Sequence, residues 1–235
     1  TLAQFAHDYL MVPAHFDRAP GVSQEYCNAG FGVLGAIVEA ASHEDLRART
    51  SRRLTTPLAL DGAGWWLADV DTSRLAAEYV TGVVDPATGD ATYEAQPQRG
   101  FGHYTATSMR ISITGLARWV LMHTGGGTLD GATVLMPASI AEEQHVQYAA
   151  LDPGQGFVWY YRNLDGSRWI SHSGSSFGTS SQMLYRTTDG RGLIVITNSD
   201  AYIRSRFGRR EGADAIEAIL TRLDQEADAI AAMGP

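Results

Sequence analysis

Residues 157–198 read FVWYYRNLDGSRWISHSGSSFGTSSQMLYRTTDGRGLIVITN, and this stretch decides the fold class. Aromatic and β-branched residues cluster there in short runs bounded by turn residues, which is typical of β-strands. The predicted strands cover residues 157–162, 168–171, 180–186 and 192–198. Asp165-Gly166 and Asp189-Gly190 connect neighbouring runs, and Asp-Gly is a strong signal for a tight hairpin. The stretch therefore predicts an antiparallel meander.

Helical patterns flank this stretch on both sides. Apolar residues recur at helical spacing before Pro13, after Asn28 and after Ser112, whose hydroxyl can cap a helix. Pro137 suits the first turn of another short helix, and residues 213–231 form an amphipathic closing helix. Helices first, then an antiparallel sheet and a C-terminal helix, predict an α+β fold.

The longer helices have predicted inward faces. These faces comprise Phe31, Leu34 and Val38 after Asn28; Ile113, Leu116, Ala117, Val120 and Leu121 after Ser112; and Ile216, Ile219, Leu220, Leu223 and Ile230 in the last helix. Gly32, Gly35 and Ala36 are small, so another element could pack closely against the helix that follows Asn28.

The predicted domains are residues 1–150, a mainly helical region, and residues 151–235, the sheet with its final helix. Residues 61–102 are rich in Gly, Asp, Thr and Pro and predict a long loop excursion, in which residues 85–90 form a turn. Such loops cover a site or vary without consequence. Three or four strands with one helix make a thin layer, so we expect further strands or a covering helix from residues outside this chain.

Composition excludes several classes of partner. The chain has 235 residues and a net charge of -8, which disfavours nucleic acid, because phosphate binding requires a basic face. The one basic cluster comprises Arg204, Arg206, Arg209 and Arg210; it could bind an anion, but a solvated approach to the last helix is the favoured interpretation. No apolar run approaches the ~20 residues that span a bilayer.

Metal and cysteine chemistry have little support in the sequence. The seven histidines lack the paired spacing of a zinc site, so we predict no metal and no cofactor. Cys27 is the single cysteine, which excludes an internal disulfide. A lone cysteine is more often a small buried hydrophobe than a nucleophile, and we expect that of Cys27.

Two short motifs point to chemistry, and a third marks the entry to a helix. Tyr26-Cys27-Asn28 opens a predicted helix, Arg110-Ile111-Ser112 leads into another, and His172-Ser173-Gly174 lies among the predicted strands. In this order and spacing the motifs resemble the serine β-lactamase and penicillin-binding-protein-like family, especially its class C β-lactamase, esterase and D-aminopeptidase branch. The resemblance covers almost the whole chain, which is similar to the C-terminal two-thirds of family members.

The resemblance implies a β-lactamase/transpeptidase-like fold and an enzyme that hydrolyses a small-molecule β-lactam, ester or peptide substrate. Tyr26 would be the proton-transfer partner of a nucleophilic serine, and the backbone amide of Ser175 would supply one oxyanion donor. The implied substrate-binding residues are Asn28, His172, Ser173 and Gly174. A side chain in place of Gly174 would block the approach of substrate to the strand.

One element of the family is absent. All 18 basic residues are arginine, so the Ser-x-x-Lys nucleophile motif cannot occur in this chain. We expect the nucleophile helix and the N-terminal strands to come from a segment not in this chain, encoded by the same gene, by a partner chain or by a second copy. The alternative is a non-catalytic binding or scaffold module with the same fold. Family resemblance implies a bacterial periplasmic or secreted enzyme, although a cytoplasmic one stays open.

Plainer interpretations exist for each residue. Tyr26 could be a packing residue, Asn28 a helix N-cap, and His172 a structural side chain. A rival nucleophile is Ser176, because residues 174–178 fit Gly-x-Ser-x-Gly. That motif needs a strand that runs into a helix, whereas a strand is predicted to follow it here.

Overall fold

The structure is a computed structural model that describes residues 1–85 and 87–233; Pro86, within the predicted 85–90 turn, lies outside the described residues. Contacts divide the chain into two compact units. The first unit comprises residues 1–73 and 99–157, and the second comprises residues 74–98 and 158–235. The predicted ranges 1–150 and 151–235 stay a prediction about domains, and each unit is described below by itself.

Most of the helices lie where the sequence predicts them. They are α1 (Leu2–Leu10), α2 (Asn28–Ser42), α3 (Leu46–Thr50), α4 (Tyr104–Thr107), α5 (Ile113–Thr124), α6 (Pro137–Gln144), α7 (Ala201–Ser205) and α8 (Glu211–Ala232). Short 3₁₀ turns cover Pro13–His15, Leu67–Asp69 and Thr72–Arg74, and a π-helical turn covers Ser51–Thr55.

The strands form three small antiparallel sheets. They are β1 (Glu78–Val84), β2 (Ala91–Gln96), β3 (Thr128–Leu129), β4 (Ala132–Thr133), β5 (Tyr160–Leu164), β6 (Ser167–Ser176), β7 (Thr179–Tyr185) and β8 (Gly192–Thr197). The order β5-β6-β7-β8 in the four-stranded sheet is that of a meander, so the predicted α+β fold is confirmed.

In the first unit, α1 and α4 pack against the small-residue side of α2. A Cβ added to Gly32 would lie 2.4 Å from Phe5 Cε1, and one added to Gly35 would lie 2.7 Å from Thr105 Cγ2. The predicted close approach at these two glycines is therefore confirmed. The predicted apolar face is wrong for Leu34 and Val38, which are exposed, because the glycines provide the contact surface.

Ser112 caps α5 as predicted, since its Oγ accepts a hydrogen bond from the Gly115 amide. The inward face is partly wrong: Ile113 and Leu121 are exposed. Val120 is buried as predicted, and the other buried residues of the helix are Gly115, Met122 and His123. Met122 joins a core cluster with Leu58 and Ile140.

In the second unit, strand pairing fixes the meander and its turns. Asp165 and Gly166 both have positive φ, 47° and 77°, as a two-residue hairpin turn of type I′ requires. Ser176 ends β6 and Thr179 begins β7, which pairs with β6 in antiparallel register. Because a strand follows this turn where the nucleophile elbow needs a helix, the Gly-x-Ser-x-Gly alternative at Ser176 has no structural support.

Helix α8 packs on the sheet through one narrow face. Its buried residues are Ala213, Ile216, Leu220 and Asp224, of which Ile216 and Leu220 were predicted to face inward. Ile219, Leu223 and Ile230 were predicted to point inward but are exposed. They recur at helical spacing, so they form a second apolar stripe beside the buried one.

The β1–β2 hairpin belongs to the second unit although it lies within the predicted excursion at 61–102. Tyr79 forms a parallel bridge with Ser199, and Asn198 Nδ2 donates to the Ala77 carbonyl at 3.0 Å. Thr81 Oγ1 donates to Asp200 Oδ1 at 3.0 Å. This part of the excursion therefore extends the structure around the end of β8.

Candidate active site

The Tyr26-Cys27-Asn28 motif lies at the start of α2. Cys27 is the N-cap: its Sγ accepts from the Gly30 amide at 3.3 Å and lies 3.4 Å from Tyr9 Oη. Asn28 is then the first residue of the helix, so its alternative interpretation as N-cap is wrong. The expected burial of Cys27 is also wrong, because the thiol is exposed. The cap at Cys27 holds the backbone next to Tyr26 and Asn28. Tyr26 itself is 55% exposed.

A groove of about 680 Å³ lies beside this motif in the first unit. Its walls are the loop before Tyr26 and the segment that follows α6. The lining residues are Pro20, Gly21, Ser23, Gln24, Glu25, Gln147, Tyr148, Leu151, Asp152, Gln155, Gly156 and Phe157. Gln24 Nε2 donates to Gln155 Oε1 at 2.5 Å and joins the two walls. The size and the mixed apolar and amide lining suit a small organic ligand.

The segment that follows α6 is held by a histidine that the sequence did not single out. His123 is buried; its Nδ1 lies 3.0 Å from the Trp119 carbonyl, and its Nε2 lies 3.3 Å from Glu143 Oε2. The Glu143 carbonyl accepts from the Phe157 amide at 2.8 Å. These contacts join α5 and α6 to one wall of the groove. No local pattern reveals them, because 20 residues separate the histidine from the glutamate.

In the second unit, the His172-Ser173-Gly174 motif lies in the C-terminal half of β6. Strand β7 pairs with β6 as far as Ser176, but β5 pairs with β6 only as far as Ser171. Within residues 1–85 and 87–233, no strand pairs with 173–176 on the β5 side. This part of β6 therefore presents a backbone edge to which an extended ligand could hydrogen-bond.

Gly174 faces Ser181 across the β6–β7 pair. A Cβ added to Gly174 would lie 2.4 Å from Ser181 Oγ, and its next contact is Ser181 Cβ at 3.7 Å. The closest obstacle is thus the end of a small side chain that can rotate. The packing of the strands therefore places only a weak demand for glycine at position 174.

His172 is half-buried, with its ring 6.0 Å from that of Tyr160. Burial lowers the pKa of His172 below its ordinary value, and a hydrogen bond with the Ser173 backbone acts in the opposite, smaller sense. Burial disfavours the charged imidazolium. The imidazole of His172 is therefore neutral at neutral pH.

We expect this neutral histidine to make folding stability depend on pH. The unfolded chain, with a histidine pKa of about 6.5, binds the proton more tightly than the folded chain, so stability falls as the pH drops below about 6.5 and through the lower folded pKa. Urea unfolding of the wild type and of His172→Gln across this range measures the slope. The variant should lose part of the slope, and equal slopes would contradict a buried neutral imidazole.

Tyr26 and Asn28 thus belong to the first unit, and His172, Ser173, Gly174 and Ser175 are consecutive in one strand of the second. The catalytic and binding roles of these six residues stay predictions. Across the described part of the chain, no group of three His, Cys, Asp or Glu side chains could hold a metal ion. None of the described helices combines the length and apolarity that a membrane crossing requires.

The decisive comparison is with protein families. The family model described as beta-lactamase matches residues 5–218. The chain belongs to the β-lactamase family. This membership covers both units, the Tyr26-x-Asn28 motif and the His172-Ser173-Gly174 motif, so the resemblance carried by these motifs is confirmed.

Relatives of this β-lactamase family chain include penicillin-binding protein 4 of Amycolatopsis lactamdurans, which is 25% identical over 198 residues. The match covers 81% of the chain and 51% of that protein. The chain therefore spans about half the length of this relative.

Solved structures with the same fold include the D-amino acid amidase of Ochrobactrum anthropi SV3 complexed with L-phenylalanine, at a TM-score of 0.69 and 18% identity. That match covers 89% of this chain and 62% of the amidase. The octameric penicillin-binding protein homologue of Pyrococcus abyssi matches with a TM-score of 0.66 and 19% identity, over 85% of this chain and 44% of that one. At such identities the likeness shows a shared fold.

Proposed function

We propose that this chain is the C-terminal portion of a serine hydrolase that cleaves a small-molecule β-lactam, ester or D-amino-acid amide through an acyl-enzyme. The observation that carries the proposal is family membership combined with the two intact motifs, at Tyr26 and at His172. The names of the relatives support this substrate range, since they include a penicillin-binding protein and a D-amino acid amidase.

The proposed chemistry divides between the motifs. A serine oxygen attacks the substrate carbonyl and passes its proton to the Tyr26 oxygen as the Tyr26 hydroxyl gives its own proton to the leaving group, whose bond to the carbonyl carbon breaks; the Ser175 amide donates a hydrogen bond to the carbonyl oxygen that becomes negatively charged. Water then attacks the acyl-enzyme, the bond between the carbonyl carbon and the serine oxygen breaks, and a proton of the water returns through Tyr26 to the serine. Asn28 orients the substrate amide or ester, and the edge of β6 at 173–176 binds the substrate backbone.

The nucleophile in this proposal comes from a segment not in this chain, because a chain without lysine lacks Ser-x-x-Lys. Two surfaces of the second unit support a missing neighbour. In the described part of the chain, β8 pairs only with β7, which leaves its other edge for a further strand. The exposed stripe of Ile219, Leu223 and Ile230 on α8 offers apolar area for the same segment to cover.

The test is completion of the enzyme. We expect the chain alone to form no covalent adduct with a fluorophosphonate or a penicillin, as seen by intact mass. Joined to, or co-expressed with, a family segment that carries Ser-x-x-Lys, it should hydrolyse nitrocefin or p-nitrophenyl esters. An assembled but inactive and unlabelled complex would favour the non-catalytic scaffold, and an adduct on the chain alone would place a nucleophile in this chain.

A further inference from the structure

The connection between α7 and α8 presents an apolar ring surrounded by positive charge. Phe207 is 81% exposed, the highest value among the large hydrophobic side chains that the structure describes. Arginines precede and follow it in the run Arg204-Ser205-Arg206-Phe207-Gly208-Arg209-Arg210, which we call the 204–210 loop. Neither the fold nor the proposed hydrolase chemistry requires the Phe207 ring to be exposed to solvent.

The loop is well anchored at its base. Ala201 is buried and packs against Gly212, where an added Cβ would lie 2.8 Å from Ala201 Cβ. Hydrogen bonds also run from the Phe207 and Arg209 amides to the Arg204 carbonyl, at 2.9 and 3.2 Å. The exposure of Phe207 is thus imposed by a hydrogen-bonded turn.

The charges around Phe207 are only partly neutralised. Arg210 Nη2 lies 3.1 Å from Asp214 Oδ1, and Arg204 Nη1 donates to Thr81 Oγ1 at 3.2 Å. Arg206 and Arg209 are exposed, and no carboxylate in residues 1–85 and 87–233 pairs with either side chain. The loop is therefore a positively charged patch on a protein whose net charge is -8.

We infer that the 204–210 loop docks the protein on an anionic lipid surface. The arginines of the loop would face the negative headgroups, and the Phe207 ring would enter the boundary between headgroups and acyl chains. An acidic protein is repelled from such a surface in most orientations, so binding would select the one orientation that presents the loop. A single ring among four arginines offers little area for a nucleic acid, which needs an extended basic face.

The test is co-sedimentation of the chain with vesicles of equal parts phosphatidylglycerol and phosphatidylcholine, compared with vesicles of phosphatidylcholine alone. Binding should be confined to the anionic vesicles and should weaken as salt is added, because salt screens exposed charges. Each of Arg206→Gln and Arg209→Gln should weaken partitioning about fivefold, and Phe207→Ala should weaken it on the order of tenfold. All three side chains are exposed, so the variants should keep the wild-type circular dichroism spectrum.

Matched controls are Val83→Ala, at an exposed apolar residue of the same unit, and Arg222→Gln, at an exposed arginine of α8. Both should bind vesicles like the wild type. The proposal is overturned by absence of binding at low salt, by equal binding to both vesicle types, or by loop variants that bind like the wild type. Tighter, loop-dependent binding to single-stranded DNA would also overturn it. The outcome does not depend on hydrolase activity.

Discussion

Replacing Tyr26 by phenylalanine in the completed hydrolase is expected to lower kcat on the order of a thousandfold, the loss typical of removing a general acid–base group. The substitution removes only the hydroxyl group, and Tyr26 is 55% exposed, so folding should be unaffected. Steady-state hydrolysis of nitrocefin or a p-nitrophenyl ester measures the effect. A loss in kcat with little change in KM would indicate that the hydroxyl acts on the transition state.

Tyr93→Phe is the matched control, since Tyr93 is a 63% exposed tyrosine in β2 and lies in neither motif. It should retain wild-type kcat and KM. Equal activity in Tyr26→Phe and the wild type would remove Tyr26 from the proposed proton transfer. In that case its packing interpretation would be the better one.

Asp224→Asn is expected to cause the largest loss of stability, about 3 kcal/mol, because it breaks a buried ion pair. Asp224 is 2% exposed although it lies in the middle of α8. Arg191 Nη1 donates to its Oδ1 at 2.5 Å, and Arg186 Nη2 lies 3.5 Å from the same oxygen. The pKa of Arg191 is raised, and the hydrogen bond with Asp224 is the largest cause. The midpoint of urea unfolding of the whole chain measures the loss.

Asp228 provides the control on the same partner. Its Oδ1 lies 2.7 Å from Arg191 Nη1, but its side chain is 67% exposed. Exposed pairs contribute little, so Asp228→Asn should cost less than about 1 kcal/mol. If both variants lowered the urea midpoint equally, burial would not be what distinguishes the two carboxylates.

The four strands of the meander and the starts of α2, α5 and α6 were predictable because they depend on local chemistry, whereas β1 and β2 lie where a loop is predicted. Ser112 caps α5 and Asp165-Gly166 closes a hairpin, each through backbone preferences encoded in a few residues. Inward faces were less predictable. Burial of an apolar residue depends on what packs against it, so the exposure of Leu34 and Ile219 and the burial of Asp224 follow from distant partners.

The candidate site shows the same division. The motifs at Tyr26 and at His172 were visible in the sequence, and so was the family. The groove wall held by His123 and Glu143 was not visible, nor was the end of β5 pairing at Ser171 that leaves the edge of β6 open. Both depend on residues far apart in the sequence. Capping by Cys27 was missed because a thiol is an uncommon helix cap.

The membership of the β1–β2 hairpin in the second unit limits how the chain can be cut. Expression of residues 158–235 alone would remove the acceptor of Asn198 at Ala77 and the donor to Asp200 at Thr81. Such a fragment would expose a buried aspartate and lose a bridge beside β8. A self-sufficient fragment therefore has to carry the hairpin as well, either through a short artificial linker or by circular permutation.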